Sequence, residues 1–186
     1  MTYVDDLVEA YRRFVALPWP NDVAPPQRVW MAIYPPTHEL RLRLNVQEFA
    51  NVTGQADHVW NLIDITTSFE AWMADHEYAE AYFEEPDLLA TALPEFFDHL
   101  VIEVRAQLEN HDDPNGVVGL LGAGALFGLG DAVKVSALMN GINDAIAGRL
   151  LVFFPGQYEH NSYRLLDARD GWDYLATPIT AEGARR

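Results

Sequence analysis

Apolar and polar positions alternate along this chain in two rhythms, and each change of rhythm marks an element. Over residues 4–17, Val4, Leu7, Tyr11, Phe14 and Val15 recur at three- and four-residue spacings, which predicts an amphipathic helix. Pro18, Pro20, Pro25 and Pro26 then break the chain into a linker. Residues 28–34 (RVWMAIY) form a continuous apolar run of β-formers, short enough for a buried strand. Pro35 and Pro36 end it, and Thr37 followed by Glu39 marks a helix start. Leu40, Leu44, Phe49 and Val52 carry that helix to Gly54. Residues 58–65 (HVWNLIDI) read as a second strand, closed by Thr66, Thr67 and Ser68, each able to cap the next helix.

Residues 68–111 read as helix, in two or three pieces cut at Pro86 and Pro94. Phe69, Trp72, Tyr78, Tyr82, Phe83, Phe96 and Phe97 recur there at helical spacing, the pattern of a packed face. A turn at residues 112–116 leads to a strand at 117–121 and a glycine-rich run at 122–130. Asp131 is expected to cap a helix reaching Ala147, with Gly148 as its stop. Residues 149–154 (RLLVFF) are the strongest buried-strand signal, expected to stop at Pro155-Gly156, with shorter strands at 163–167 and 174–177. Strands separated by helices predict βαβ units. The expected fold is a single α/β domain over residues 1–186, a mostly parallel sheet flanked by helices. Residues 57–113 would form a mainly helical acidic insertion between the second and third strands.

Composition narrows the function classes. Of 186 residues, 49% are apolar, 12% aromatic and 22% charged, which excludes disorder, collagen-like repeats and a membrane span. With no cysteine, a disulfide framework, a thiolate zinc site, an iron–sulfur cluster and a cysteine nucleophile are all excluded. The start of the chain (MTYVDDLVEAYRRF) has early acids and no apolar run, so no secretory signal is expected and the cytoplasm is the expected compartment. Twenty-eight acids against twelve bases give a net charge of −16, and from Asp57 to Asp113 the only base is Arg105. Phosphate is repelled by such a chain, so neither direct nucleic-acid contact nor an anionic membrane surface is expected. Solvated helix faces, a basic partner protein and imitation of nucleic acid all accommodate the acidity.

Few residues offer chemistry. Gly122, Gly124 and Gly128, in a GxGxxxG run after a strand, stand where a phosphate-binding loop belongs, but tight strand-to-helix packing is the preferred account of them. No acid ends the following strand to hold a ribose. A P-loop needs GxxxxGK[ST] after the first strand, where this chain has Tyr34-Pro35-Pro36-Thr37-His38-Glu39. Proline has no amide for a phosphate, and no lysine is near, so ATP hydrolysis is not expected. The six histidines form no HxH, HExxH or HxxxH pattern, and none of the three serines lies in GxSxG. Asp64, at the end of a strand, suits either a ligand or a helix cap. No cofactor, metal site or catalytic constellation is expected. The most distinctive stretch is C-terminal: Tyr158, Tyr163, Arg164, Asp167, Arg169, Asp170 and Trp172 mix aromatic and charged groups densely. Buried ion pairs among Arg164, Asp167, Arg169 and Asp170 would fix a loop; exposed, the same residues would recognise another protein.

Residues 149–158 (RLLVFFPGQY) followed by 161–172 (NSYRLLDARDGW) resemble the BrxB family of BREX bacteriophage-defence systems. Tyr34-Pro35-Pro36 with His38-Glu39-Leu40, and the glycine run with Ser136, Leu138 and Asn140 after it, are similar in the same order. The resemblance implies a small cytoplasmic α/β protein with a P-loop-NTPase-like topology that has lost its P-loop. It implies a non-catalytic accessory subunit, with a PglZ-type phosphatase-like protein as first expected partner, ahead of a large ATPase or a DNA methyltransferase. It supplies no catalytic residues. Two other readings stay open: a degenerate nucleotide-binding regulator or weak enzyme using residues 122–130, and an acidic DNA mimic.

Overall fold

Buried parallel strands read as continuous apolar runs because helices cover both faces of their sheet. In a computed structural model of the chain, which describes residues 1–185, this is the arrangement adopted. The helices are α1 (Tyr3–Val15), α2 (Glu39–Leu44), α3 (Val46–Gln55), α4 (Ser68–Ala74), α5 (Ala79–Glu84), α6 (Leu89–Glu109) and α7 (Val135–Ile142). The strands are β1 (Val29–Tyr34), β2 (Val59–Asp64), β3 (Gly116–Leu121), β4 (Arg149–Glu159), β5 (Ser162–Leu165), β6 (Trp172–Asp173) and β7 (Thr177–Thr180). The main path of the sheet is β2-β3-β4-β1-β7, parallel at every step. The protein is therefore α/β, with a mostly parallel central sheet flanked by helices.

The period of two along each strand sorts side chains between the two helical layers. Trp30, Ala32 and Tyr34 of β1, with Leu151 and Phe153 of β4, meet α1 and α3 through Leu7, Tyr11, Phe49 and Val52. Met31 and Ile33, with Leu150, Val152 and Phe154, face the opposite way, toward Phe96, Leu100 and Val104 of α6 and Leu138 of α7. Among the described residues β2 has no second neighbour, and Val59 and Leu62 stay exposed on this edge. No helix among the described residues is long and apolar enough to cross a membrane.

Four local expectations are corrected. Pro94 does not break α6. It is the sixth residue of the helix, so one hydrogen bond to the Ala90 carbonyl is lost while Leu93, Phe96, Leu100, Val104 and Leu108 keep a buried stripe on both sides of it. Asp131 does not cap α7, which begins four residues later at Val135, once Val133 has been buried. Nor does α7 reach Ala147: it ends at Ile142 and runs into a short 3₁₀ turn. Finally, Pro155-Gly156 does not stop β4. Pro155 is opposite Tyr34 in the last pair with β1, and its carbonyl accepts from the Leu166 amide at 2.9 Å. From Gly156 the strand pairs antiparallel with β5. A Cβ at Gly156 would lie 2.1 Å from the Arg164 carbonyl oxygen, so only glycine permits this crossing. The hairpin closes on His160-Asn161, both with positive φ (52° and 63°), the two-residue turn that matches strand twist.

Tyr11, Tyr34 and Tyr163 are at most 1% exposed, and burial raises each phenol above its ordinary value of 10.0. Above that value the unfolded chain releases protons that the folded chain keeps, so stability falls as pH rises. We expect denaturant midpoints to stay flat to about pH 9.5 and then decline, by up to about 1.4 kcal/mol per pH unit for each buried tyrosine. Tyr163→Phe should show a shallower decline; an unchanged slope would remove Tyr163 from the account.

Candidate functional site

In open α/β sheets ligands bind at the carboxyl ends of the strands, so those ends are the first place to look for chemistry. Here the chain's own side chains close them. Tyr34, the last residue of β1, donates its hydroxyl to Glu39 Oε2 at 2.6 Å. Burial and that carboxylate together push its pKa well up, so it stays a neutral donor. Glu39 Oε1 accepts from Arg43 Nε at 2.7 Å, and Arg43 also donates to Thr66 Oγ1 at 2.9 Å. Asp64, at the end of β2, accepts from both the amide and the hydroxyl of Thr66, and its carboxylate is 3.9 Å from Arg43. The amide bond at 2.9 Å makes Asp64 the brace of the turn into α4.

Gly122 completes the closure. It is buried with φ of +100°, and a Cβ there would stand 2.5 Å from the Thr66 amide nitrogen. The next residues form one 3₁₀ turn, in which the amides of Ala125, Phe127 and Leu129 donate to the carbonyls of Gly122, Gly124 and Leu126. Gly124 faces Pro155. Gly122 and Gly124 therefore serve close packing, whereas Gly128 and Gly130, with φ of +87° and +83°, lie farther along at a cleft.

That cleft, about 440 Å³, joins two stretches the sequence nominates separately. Gly128, Lys134 and Ser136 line one side; Leu165, Arg169, Asp170 and Trp172 line the other. Lys134 is held by Asp131 at 2.9 Å, and its pKa is raised chiefly by that bond, with Asp170 adding to the field. Arg164, Asp167, Arg169 and Asp170 are all exposed, and none of them takes part in an ion pair among the described residues. The alternative of buried ion pairs is thereby overturned. Along β5 the alternation turns Tyr163 inward and Arg164 outward.

The aromatic members of the nominated set form the frame beneath. Tyr163 is fully buried and donates its hydroxyl to the Ala176 carbonyl at 2.7 Å. Its ring lies 4.6 Å from Tyr158, 5.6 Å from Trp172 and 5.9 Å from Phe154. Tyr158 donates to Asn161 across the hairpin turn at 3.2 Å, and Trp172 continues to Tyr174 at 4.9 Å. Arg164 and Arg169, without an ion-pair partner among the described residues, thus lie in the same segment as this linked set of rings.

A second, larger cleft of about 630 Å³ opens between α4, α5 and α6, lined by Trp72, His76, Tyr82, Glu95 and neighbouring acids. Sequence reasoning missed it because the helical spacing of these aromatics reads as a packed face, which holds for Trp72 against Phe96 but not for exposed Tyr78. The interleaving of acids with that stripe was the available signal. Among the described residues no three histidine, aspartate or glutamate side chains are gathered to hold a metal ion. No protein-family model, curated protein sequence or solved structure matches the chain.

Gly122→Ala is expected to cost about 2 kcal/mol or more, from left-handed backbone strain and the clash with Thr66. For a chain of this size that lowers Tm by roughly 5 °C. Gly128→Ala, with open space around its Cα, should cost less. Thermal unfolding of the two variants checks the ranking, and equal losses would show that Thr66 yields.

Proposed function

We propose that this chain is a non-catalytic accessory subunit of a BREX phage-defence complex, working in the cytoplasm as a scaffold through protein–protein contacts. The observation that carries this reading is the pairing of a closed carboxyl edge with an open C-terminal surface. Where a phosphate-binding loop would sit, Tyr34, Glu39, Arg43, Thr66 and Asp64 satisfy one another. Where Arg164 and Arg169 project, no side chain among the described residues pairs with them. Exposed arginines beside half-buried Tyr158 and Trp172 are the composition of interface anchors.

The likeness of residues 149–172 to the BrxB family supports the BREX assignment. Support for a P-loop-NTPase-like topology comes from the all-parallel order β2-β3-β4-β1-β7, with Pro35 and Pro36 standing in the loop position. The stretch from Asp57 to Asp113, helices and connecting turns together, carries most of the net charge, which supports reading residues 57–113 as an acidic insertion. Such charge favours a basic protein surface and opposes direct DNA contact. A PglZ-type phosphatase-like protein is the first partner proposed, before the large ATPase and the methyltransferase.

One observation favours a second reading, a nucleotide-binding regulator: Gly128, Lys134 and Arg169 border a single cleft. The two readings separate experimentally. The tagged protein should capture the phosphatase-like or ATPase component at low and moderate salt. Arg164→Ala with Arg169→Ala should lose that capture while unfolding at the wild-type temperature. No capture at either salt sinks the scaffold. A thermal shift of several degrees with nucleotide and magnesium would instead favour the regulator, since a ligand that binds only the folded state stabilises it.

A further inference from the structure

We infer that the cleft between α4–α5 and α6 is a receptor for an arginine-bearing segment of a partner protein. The inference rests on the reading of the chain as a binding subunit and adds the chemistry of what is bound. This cleft of about 630 Å³ shares no lining residue with the C-terminal one.

Its polar groups are unevenly matched. The carboxylates of Asp64, Asp75, Glu77, Glu95 and Glu103 line it, and no lysine or arginine does. His76 lies among rings, 4.7 Å from Trp72 and 5.2 Å from Tyr82, with only 9% of its side chain exposed. Its Nδ1 accepts from the Tyr78 amide at 3.2 Å, so the neutral ring carries its proton on Nε2. Nε2 makes no hydrogen bond among the described residues; the nearest carboxylate, that of Glu95, is 3.7 Å away. Asp64 answers to Thr66 and Arg43, and Glu103 to His99, but Asp75 and Glu77 have no side-chain partner among the described residues, so a ring donor without a hydrogen bond borders the cleft beside unmatched acceptors.

A ligand that satisfies both carries an acceptor for Nε2 and a cation for the carboxylates. A main-chain carbonyl beside a guanidinium does this. A bare metal ion does not fit, since no three of these side chains converge on a point. An anion is repelled. Guanidinium suits the cleft better than ammonium, because its planar fork engages carboxylates two bonds at a time and stacks on aromatic faces. Spacing sets the length of the segment. Glu95, His99 and Glu103 follow one another at four-residue intervals along one face of α6, with His99 3.9 Å from Glu103. Glu95 and Glu103 are therefore about 12 Å apart along the helix axis. An extended strand advances about 3.3 Å per residue, so arginines three or four positions apart reach both.

The test uses the intact protein and a capped alanine hexapeptide with two arginines three positions apart, followed by NMR. The peptide should shift the Trp72 indole and His76 signals. Its citrulline counterpart, of the same shape without the charge, should bind about tenfold more weakly or worse. Glu95, 70% exposed, tolerates replacement, and Glu95→Gln should weaken the arginine peptide to a similar extent. Glu84→Gln, on α5 but outside the cleft, should leave the affinity unchanged. Equal losses in the two variants, shifts spread outside the cleft, or spermidine binding as tightly as the peptide would each overturn the proposal. Because peptide binding is read directly, failure here is separate from failure to capture a BREX component.

Discussion

The structure depends on the double pairing of β4. A strand buried on both faces must satisfy every amide and carbonyl within the protein. The first half of β4 does so between β3 and β1, and the second half does so against β5. The C-terminal hairpin is thus a continuation of a central strand of the sheet, and inherits its rigidity. The switch between pairings falls at Pro155-Gly156, where one residue lacks a donor and the next lacks a Cβ.

The same strand anchors the opposite end of the sheet. Arg149, its first residue, is 6% exposed and has no carboxylate partner among the described residues. Its guanidinium donates to the carbonyls of Pro20 and Gly148, at 2.7 and 3.0 Å, and lies 5.1 Å over the Trp19 ring. Burial, with Arg28 nearby, draws its pKa below the ordinary arginine value. Trp19 also stacks on His58 at 3.8 Å, so one cation ties the proline-rich linker to the start of the sheet. Buried arginine here works as a multi-donor pin rather than as half of an ion pair.

Electrostatics divides the molecule by location. At the carboxyl edge one base, Arg43, serves two acids, Glu39 and Asp64. Along α4 to α6 acids and bases are not matched, and part of the excess, Asp75, Glu77, Glu95 and Glu103, borders a cleft with aromatic walls. At the C-terminal hairpin and the loop after it, Arg164 and Arg169 have no ion-pair partner among the described residues. Matched charge closes a surface to ligands, while unmatched charge beside apolar area leaves desolvation to be compensated by a partner.

Local pattern alone determined the first helix, the buried strands and the absence of a P-loop motif, because periodicity, β-branching and the missing amide of proline act within a few residues. The buried runs at 29–34 and 149–154 were legible for that reason. The His160-Asn161 turn was legible in principle, between alternating Gln157-Tyr158-Glu159 and Ser162-Tyr163-Arg164, but the preceding Pro155-Gly156 masked it. Tertiary structure decided which nominated residues are surface and which are frame. Tyr163 and Arg164 adjoin in sequence, yet one closes the core and the other meets solvent. It also decided that Gly122 packs on Thr66 and that His76 lies among Trp72 and Tyr82. Such contacts join residues from separate elements, and no local spacing encodes the orientation in which two elements meet.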